Sequence, residues 1–367
     1  MGADSGAGAL LTIDLDAIAE NYRRLRARLD RAACGAAIKA DAYGLGAEHV
    51  GPALARTGCR DFFVAHLDEG VALRPRLPDA AIHVLNGVLP GEEAEFAAHD
   101  LIPVLNSLPQ LDRWAKWGCE HGVRPAALHV DTGMSRLGLE EADVEVLADD
   151  PTRLNGIDLC LVVSHLACAE EPENPMNAVQ RVAFERACRR LPRARASLVN
   201  SSGIFLGPDY QFDVARPGAA LYGVNPTPGR PNPMLPVVRL EGRIIQVRDI
   251  DHPRTVGYGA AHSIRRRSKI ATVAIGYADG YLRSLSGRGM CRLAGLEVPI
   301  VGRVSMDLIT IDVTDVPANQ AIEGAVVEAI GGQHTVDDVA ETAGTNGYEI
   351  LTSLGPRYRR RYIGAGA

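Results

Sequence analysis

Lysine is almost absent from this chain. Apart from Lys39, only Lys116 and Lys269 occur among its 367 residues. The seven cysteines, at positions 34, 59, 119, 160, 168, 188 and 291, are scattered, odd in number and without a C-x-x-C pair. That argues against a disulfide framework and against a zinc site, and it fits a reducing compartment. No apolar run approaches the roughly 20 residues that cross a bilayer. No long run of one sign occurs: 39 basic and 45 acidic residues give a formal charge of -6, and nothing suggests nucleic acid, the arginine-rich tail GPRYRRRY reading as a solvated end. The opening MGADSGAGALL has neither a basic segment nor a continuous apolar core, and Gly6 stands where a myristoylation signal needs Ser or Thr. The expectation is a cytoplasmic protein that holds no metal.

What is present is a rhythm. From Asp14, the run LDAIAENYRRLRARL places Leu15, Ile18, Tyr22, Leu25 and Leu29 at steps of three and four, an amphipathic helix with Asp14 as its cap. Short apolar runs then alternate with helical stretches: Ala36 to Lys39, then 62–66, 82–87, 102–106, 126–131, 159–165, 196–201 and 212–216. Alternation implies parallel pairing, and eight β-α units is the count that closes a barrel. Residues 224–236 hold five prolines, which neither a helix nor a central strand tolerates. Beyond them the pattern turns to period two, as in VVRLEGRIIQV and KIATVAIGYADGY. The fold class expected is α/β: a (β/α)8 TIM barrel over 12–230, followed by a mostly-β domain over 231–367, on which residues 1–11 could also pack.

Polar residues gather at the C-terminal ends of the barrel strands. Lys39, Asp131, His165, Asn200 with Ser201, and Arg216 all stand there, and in such barrels that face carries the active site. Lys39 follows Ala36, Ala37 and Ile38, so its ammonium is flanked by apolar neighbours. Lost hydration lowers an amine's pKa and leaves it free to attack a carbonyl and form a Schiff base.

The string KADAYGLG around Lys39 resembles the pyridoxal-phosphate lysine motif of alanine racemases, and similar segments recur from about Thr12 to Arg360. The resemblance implies pyridoxal 5'-phosphate as cofactor, Lys39 as its Schiff-base lysine and Tyr43 as a ligand of its phosphate. HVDTGMSRLG resembles the loop whose arginine, here Arg136, binds beside the cofactor phenolate and the substrate carboxylate. NSSG supplies Ser201 as a phosphate ligand, with Asn200 in support. In ARPGAALYG, Arg216 would face the pyridine nitrogen, and the amides of Gly218 and Ala219 would cradle the phosphate. From the second domain, VGYGAAHS would supply Tyr258 as the second catalytic base. GRVSMD would supply the Met306 amide to the substrate carboxylate, with Asp307 in support.

The implied reaction is interconversion of L- and D-alanine by two bases on opposite faces of Cα, supplying D-alanine for cell-wall peptidoglycan. Lys39 would serve the D-face and Tyr258 the L-face. A tyrosine base needs nearby positive charge or hydrogen bonds, since its reference pKa is about 10. His165 and Arg216 are the expected suppliers. Arg216, charged at any working pH, would not protonate the pyridine nitrogen. Two positions depart from the family pattern. His129 stands where many members carry a modified lysine that orients the arginine equivalent to Arg136, so something else must hold it, a bound anion being one candidate. Pro356 stands where some members place a phosphate-binding tyrosine, with Tyr358 close but out of register. Alternative functions are a racemase of another small amino acid such as serine, or a decarboxylase on the same plan. The resemblance also implies a homodimer with shared sites, and the short proline-rich linker agrees, because it leaves little chain to fold the second domain over its own barrel mouth.

Overall fold

The computed structural model describes residues 8–364, so residues 1–7 of the segment read for a targeting signal lie outside it. Strand β1 (Ala9–Asp14) leads into the helix Leu15–Arg26, where Asp14 accepts the Ala17 N–H at 2.9 Å as cap. Leu15, Ile18, Tyr22 and Leu25 form its buried face. The parallel strands follow: β2 (Ala33–Cys34), β3 (Ala36–Ala37), β4 (Asp61–Val64), β5 (Ala81–Val84), β6 (Ile102–Leu105), β7 (Arg124–His129), β8 (Ile157–Val163), β9 (Arg195–Ser197) and β10 (Val214–Ala215). β3 to β9 pair in sequence order, and β10 pairs with β2. On the other side of β10, the Asp213 and Arg216 N–H groups donate to the Ala196 and Val199 carbonyls, both at 2.9 Å. β2 and β3 are one strand interrupted at Gly35, so the ring closes with eight strand positions, at each of the eight runs read from the sequence.

One part of the alternation is not met. Between β9 and β10 there is no α-helix, only two 3-10 turns, Gly203–Leu206 and Pro208–Tyr210, because Gly207 at φ +112° and Pro208 cannot continue a helix. The helix Leu15–Arg26, which precedes the first barrel strand, packs against the 3-10 turn Ala219–Tyr222 that follows the last.

Inside the ring, Ala37, Phe63, Val104, Ala127, Leu161, Val163 and Val214 make one apolar cluster. Below it sits a buried polar group. Burial pushes the Asp61 carboxyl up, but hydrogen bonds from His83 at 3.2 Å and from Arg195 at 3.0 and 2.9 Å outweigh that and hold it at about 2.

The second part is built on β11 (Val238–Ile250), followed by β12 (Arg254–Val256), β13 (His262–Ile264), β14 (Ser268–Val273), β15 (Met290–Leu293), β16 (Leu296–Pro299), β17 (Ile309–Asp312), β18 (Val326–Ile330) and β19 (Arg359–Ile363). β11 runs antiparallel to β1, β14 and β18, and β1 pairs parallel with β19. The first strand of the chain therefore lies in the sheet of the second half. Two helices, Val336–Ala343 and Gly347–Ser353, precede β19 and bring Tyr348 and Thr352 to the barrel mouth.

Asn21 joins the pieces. Fully buried, it donates to the carbonyls of Leu221 at 3.2 Å and Leu235 at 2.9 Å and accepts the Leu235 N–H at 2.7 Å, tying the first helix to the end of the barrel and to the proline-rich linker. Asn21→Leu strands those backbone groups without partners and is expected to cost about 2–4 kcal/mol. A lower urea midpoint at unchanged m-value is the signature to measure.

Candidate active site

Lys39 stands two residues beyond β3, and the chain then does something unusual. Ala40, Asp41, Ala42 and Tyr43 all lie at φ between 52° and 55°, a left-handed turn without glycine. Each such residue costs about 1–2 kcal/mol relative to a right-handed conformation, so the turn must be held from outside. Glu69 accepts the Ala40 N–H at 2.5 Å, Asp41 Oδ1 accepts the Ala47 N–H at 2.7 Å, and Arg360 donates to the Gly44 carbonyl at 2.5 Å. The turn swings Tyr43 back across the mouth to Gly218. A Cβ at Gly218 would lie 2.3 Å from the Tyr43 hydroxyl oxygen, so only glycine admits this approach.

Lys39, Tyr43, Arg136, His165, Asn200, Ser201, Arg216, Gly218 and Ala219 line one cavity of about 610 Å³. Every barrel residue assigned a site role is in it. Burial, reinforced by the charges of Arg136 and Arg216 against the pull of Glu69, holds the Lys39 amine below the usual lysine range. Arg216 is buried and meets only neutral acceptors: the Ser197 carbonyl at 2.8 Å, Ser197 Oγ at 2.5 Å and the Ser164 carbonyl at 2.5 Å. Burial lowers it to about 10, which leaves it a cation near neutral pH. Ser201 Oγ accepts the N–H groups of Gly218 at 3.0 Å and Ala220 at 3.2 Å, which leaves its own proton to donate.

Of the two contributions open to it, positive charge or a hydrogen bond, His165 is left with the hydrogen bond. Burial first, then the charges of Arg216, Arg136 and Lys39, lower it to about 3. Its Nδ1 faces Arg216 Nη2 at 3.5 Å as an acceptor, so the proton sits on Nε2 and the ring offers a neutral donor. Two other strand-end residues take local duties. Asp131 accepts the N–H groups of Gly133 at 2.8 Å and Met134 at 2.9 Å, and Asn200 Oδ1 caps the turn at Gly203 at 2.9 Å.

Tyr258, Met306 and Asp307 do not line the cavity of their own chain. Tyr258 is 73% exposed and Met306 54%, both on the outer surface of the second half, and Asp307 pairs with Arg357 at 2.8 Å. The sequence reading missed Tyr348, which lines the cavity edge-on to Tyr43 with ring centroids 6.4 Å apart and donates to Glu170 at 2.6 Å. Tyr358, weighed instead, is buried away from it. The signal available was Asn346, whose side chain accepts the Glu349 N–H at 3.0 Å and starts the helix carrying Tyr348.

A barrel mouth lined by three cationic side chains, one of them a lysine of depressed basicity, and by no carboxylate defines an enzyme site for an anionic carbonyl compound and a carboxylate substrate. The models described as "Alanine racemase, N-terminal domain" and "Alanine racemase, C-terminal domain" match residues 13–226 and 237–362. The chain belongs to the alanine racemase family. It is 55% identical to an alanine racemase of Rhodospirillum rubrum over 99% of this chain and 98% of that one. It is 52% identical to a catabolic alanine racemase of Mesorhizobium japonicum, over 99% and 95%. The crystal structure of alanine racemase from Bartonella henselae with covalently bound pyridoxal phosphate superposes with a TM-score of 0.93 at 42% identity, over 97% of this chain and all of that one.

The depressed imidazoles fix a sign. His129, held at about 4, and His165, at about 3, bind protons near pH 6.5 only when unfolded. Because the unfolded chain then takes up more protons, their contribution to stability is complete above pH 6.5 and lost as pH falls. The urea midpoint should drop between pH 6.5 and 5. A rise over that interval would mean that folding raises rather than lowers these pKa values.

Proposed function

We propose that this protein interconverts L- and D-alanine with pyridoxal 5'-phosphate. The observation that carries the reading is the cavity itself, with Lys39, Arg136 and Arg216 as cations and no carboxylate among the lining residues. The cofactor fits this donor set. Lys39 offers an amine of lowered pKa for its carbonyl, Ser201 a free hydroxyl proton, and Gly218 and Ala219 a backbone edge that only glycine keeps open beside Tyr43. Tyr43, and Tyr348 beside it, would add hydroxyls for the phosphate. Bound there, pyridoxal phosphate supplies the electron sink that makes the alanine Cα–H acidic.

The chain's own groups do the rest. Arg136 binds the substrate carboxylate. Lys39 takes or returns the Cα proton on one face, and Tyr258 serves the other. Arg216 keeps its proton near neutral pH, so it would hold the cofactor's ring nitrogen without protonating it. His165 donates a neutral hydrogen bond into the cavity and Asn200 steadies the turn that carries Ser201, while Met306, with Asp307 beside it, offers its amide to the carboxylate. The barrel and the strand-rich part divide near residue 230, and a cytoplasmic enzyme supplying D-alanine to peptidoglycan is consistent with this reading. Among the described residues no helix is long and apolar enough to cross a membrane.

The decisive experiment is conversion of L-alanine to D-alanine by the purified holoenzyme without added keto acid. Borohydride reduction followed by peptide mapping should place the pyridoxyl label on Lys39. A label on Lys116 or Lys269 would remove Lys39 from the centre of the site.

Tyr258 and Met306 reach a site only if a second copy presents them, and their exposure away from their own cavity supports a homodimer whose sites are shared. Lys39→Ala and Tyr258→Ala are each expected to be inactive. Mixed under conditions that exchange subunits, they should recover about a quarter of wild-type activity, since half the dimers would be mixed and each mixed dimer would have one intact site of two. No recovery despite demonstrated exchange would put both residues in one chain's site.

A further inference from the structure

His129 ends β7, and its ring lines the cavity with Arg136. Its Nδ1 lies 2.7 Å from Asn106 Oδ1. The Asn106 amide cannot be turned over, because its Nδ2 already donates to the Leu85 carbonyl at 2.9 Å and the Val104 carbonyl at 2.8 Å. The atom facing the ring is therefore an oxygen, which only accepts, and the imidazole proton must sit on Nδ1. Burial, with the charges of Arg216 and Arg136, holds the ring at about 4, so near pH 7 it is neutral. Nε2 is left as a lone pair with no partner among the described residues.

The chain after His129 folds back over it. The Leu139 N–H donates to the His129 carbonyl at 2.7 Å, and the Asp131 N–H to the Leu139 carbonyl at 2.9 Å. The return passes through Gly138 at φ +112°, where a Cβ would lie 3.2 Å from His129 Cδ2 and 2.6 Å from the Asp131 nitrogen. Cδ2 is bonded to Nε2, so the loop crosses the ring edge that carries the lone pair, and Arg136 stands two residues earlier. Its guanidinium, with five donors, makes no hydrogen bond or ion pair among the described residues. A planar donor fork that nothing holds and an acceptor that nothing occupies face one cavity.

The geometry points to His129 as the positioning residue for Arg136: Nε2 accepts a hydrogen bond from the guanidinium and fixes its orientation, while Asn106 fixes the tautomer that makes this possible. The inference rests on the reading of Arg136 as the ligand of the substrate carboxylate. It removes the need for a carboxylate or a bound anion beside Arg136. A neutral acceptor also leaves the arginine's charge unneutralised, and so available in full to the substrate.

Propionate tests this, since it carries alanine's methyl and carboxylate but no amine and cannot turn over. Its dissociation constant is read from the cofactor absorbance of holoenzyme in halide-free buffer. Arg136→Ala should weaken binding by about a hundredfold and His129→Phe by about tenfold, the range for charge-assisted hydrogen bonds. His129→Gln, which keeps an acceptor at similar reach, should stay within about threefold of wild type. Long-range proton–nitrogen spectra of the unsubstituted protein, with the His129 signals identified by their loss in His129→Gln, should show protonation at Nδ1 and a bare Nε2 from pH 6 to 8. If Arg136→Ala binds propionate like wild type, the reading of Arg136 itself fails. If Arg136→Ala is weakened but His129→Phe is not, or the ring is protonated at Nε2, the positioning role alone is overturned. Wild-type binding that appears only on adding chloride would give the role to a bound anion and overturn it equally.

Discussion

The seam where β10 meets β2 is the constraint on which the site depends. There the Gly35 N–H donates to the Ala215 carbonyl at 2.9 Å and the Ala37 N–H to the Pro217 carbonyl at 2.8 Å, joining the first barrel strand to the last. Lys39 stands just past one side of this seam, and Arg216 and Gly218 stand past the other. Without closure the amine and the buried guanidinium would sit at opposite edges of an open sheet. With it, they share a mouth, and the left-handed turn after Lys39 reaches across to lay Tyr43 on Gly218.

Electrostatics follow from that closure. Lys39, Arg136 and Arg216 converge without a carboxylate among the cavity residues, and the protein tolerates this concentration in two ways. Arg216 is solvated by backbone carbonyls and a serine hydroxyl in place of water, which keeps its charge at the cost of a lowered pKa. His165 and His129 are driven neutral by burial and by the same cations, so neither adds a further charge. The two rings are held in opposite tautomers. Arg216 makes His165 a donor toward the cavity, and Asn106 makes His129 an acceptor. The remaining positive field is suited to a phosphate and a carboxylate, the two anions that the proposed cofactor and substrate would bring.

Much of this was legible in the chain. Eight apolar runs, each followed by a break, gave the strand count, because strands buried on both faces must be continuously apolar. The polar residues ending five of these runs marked the face that carries the cavity, and KADAYGLG placed Lys39 within it. Legibility failed where meaning depended on a distant partner. Asp131 resembled a site residue at a strand end, yet its side chain satisfies nearby backbone N–H groups and does not line the cavity, whereas Asn200 lines it while capping the turn at Gly203. Tyr348 stood among ordinary helix residues, and nothing local told that its helix would lie over the barrel mouth. Whether His165 brings a charge or a neutral hydrogen bond could not be read, because pKa is set by the surroundings rather than by residue type.

The sequence by itself determined the elements and their order: periodicity and turn residues are local, and they placed the barrel, the proline-rich break and the strand-rich second half. It also determined which residue types were on hand for the chemistry, above all a single lysine at a strand end. Only the tertiary structure decided which of these meet, which are charged, and which face away. Tyr258 and Met306 lie in readable motifs yet are exposed and do not line the cavity of their own chain's Lys39, and β1, first in the chain, pairs in the sheet of the second half. Contacts between distant segments depend on ring closure and sheet register. Protonation depends on desolvation and neighbouring charge, and neither quantity is defined until the chain has folded.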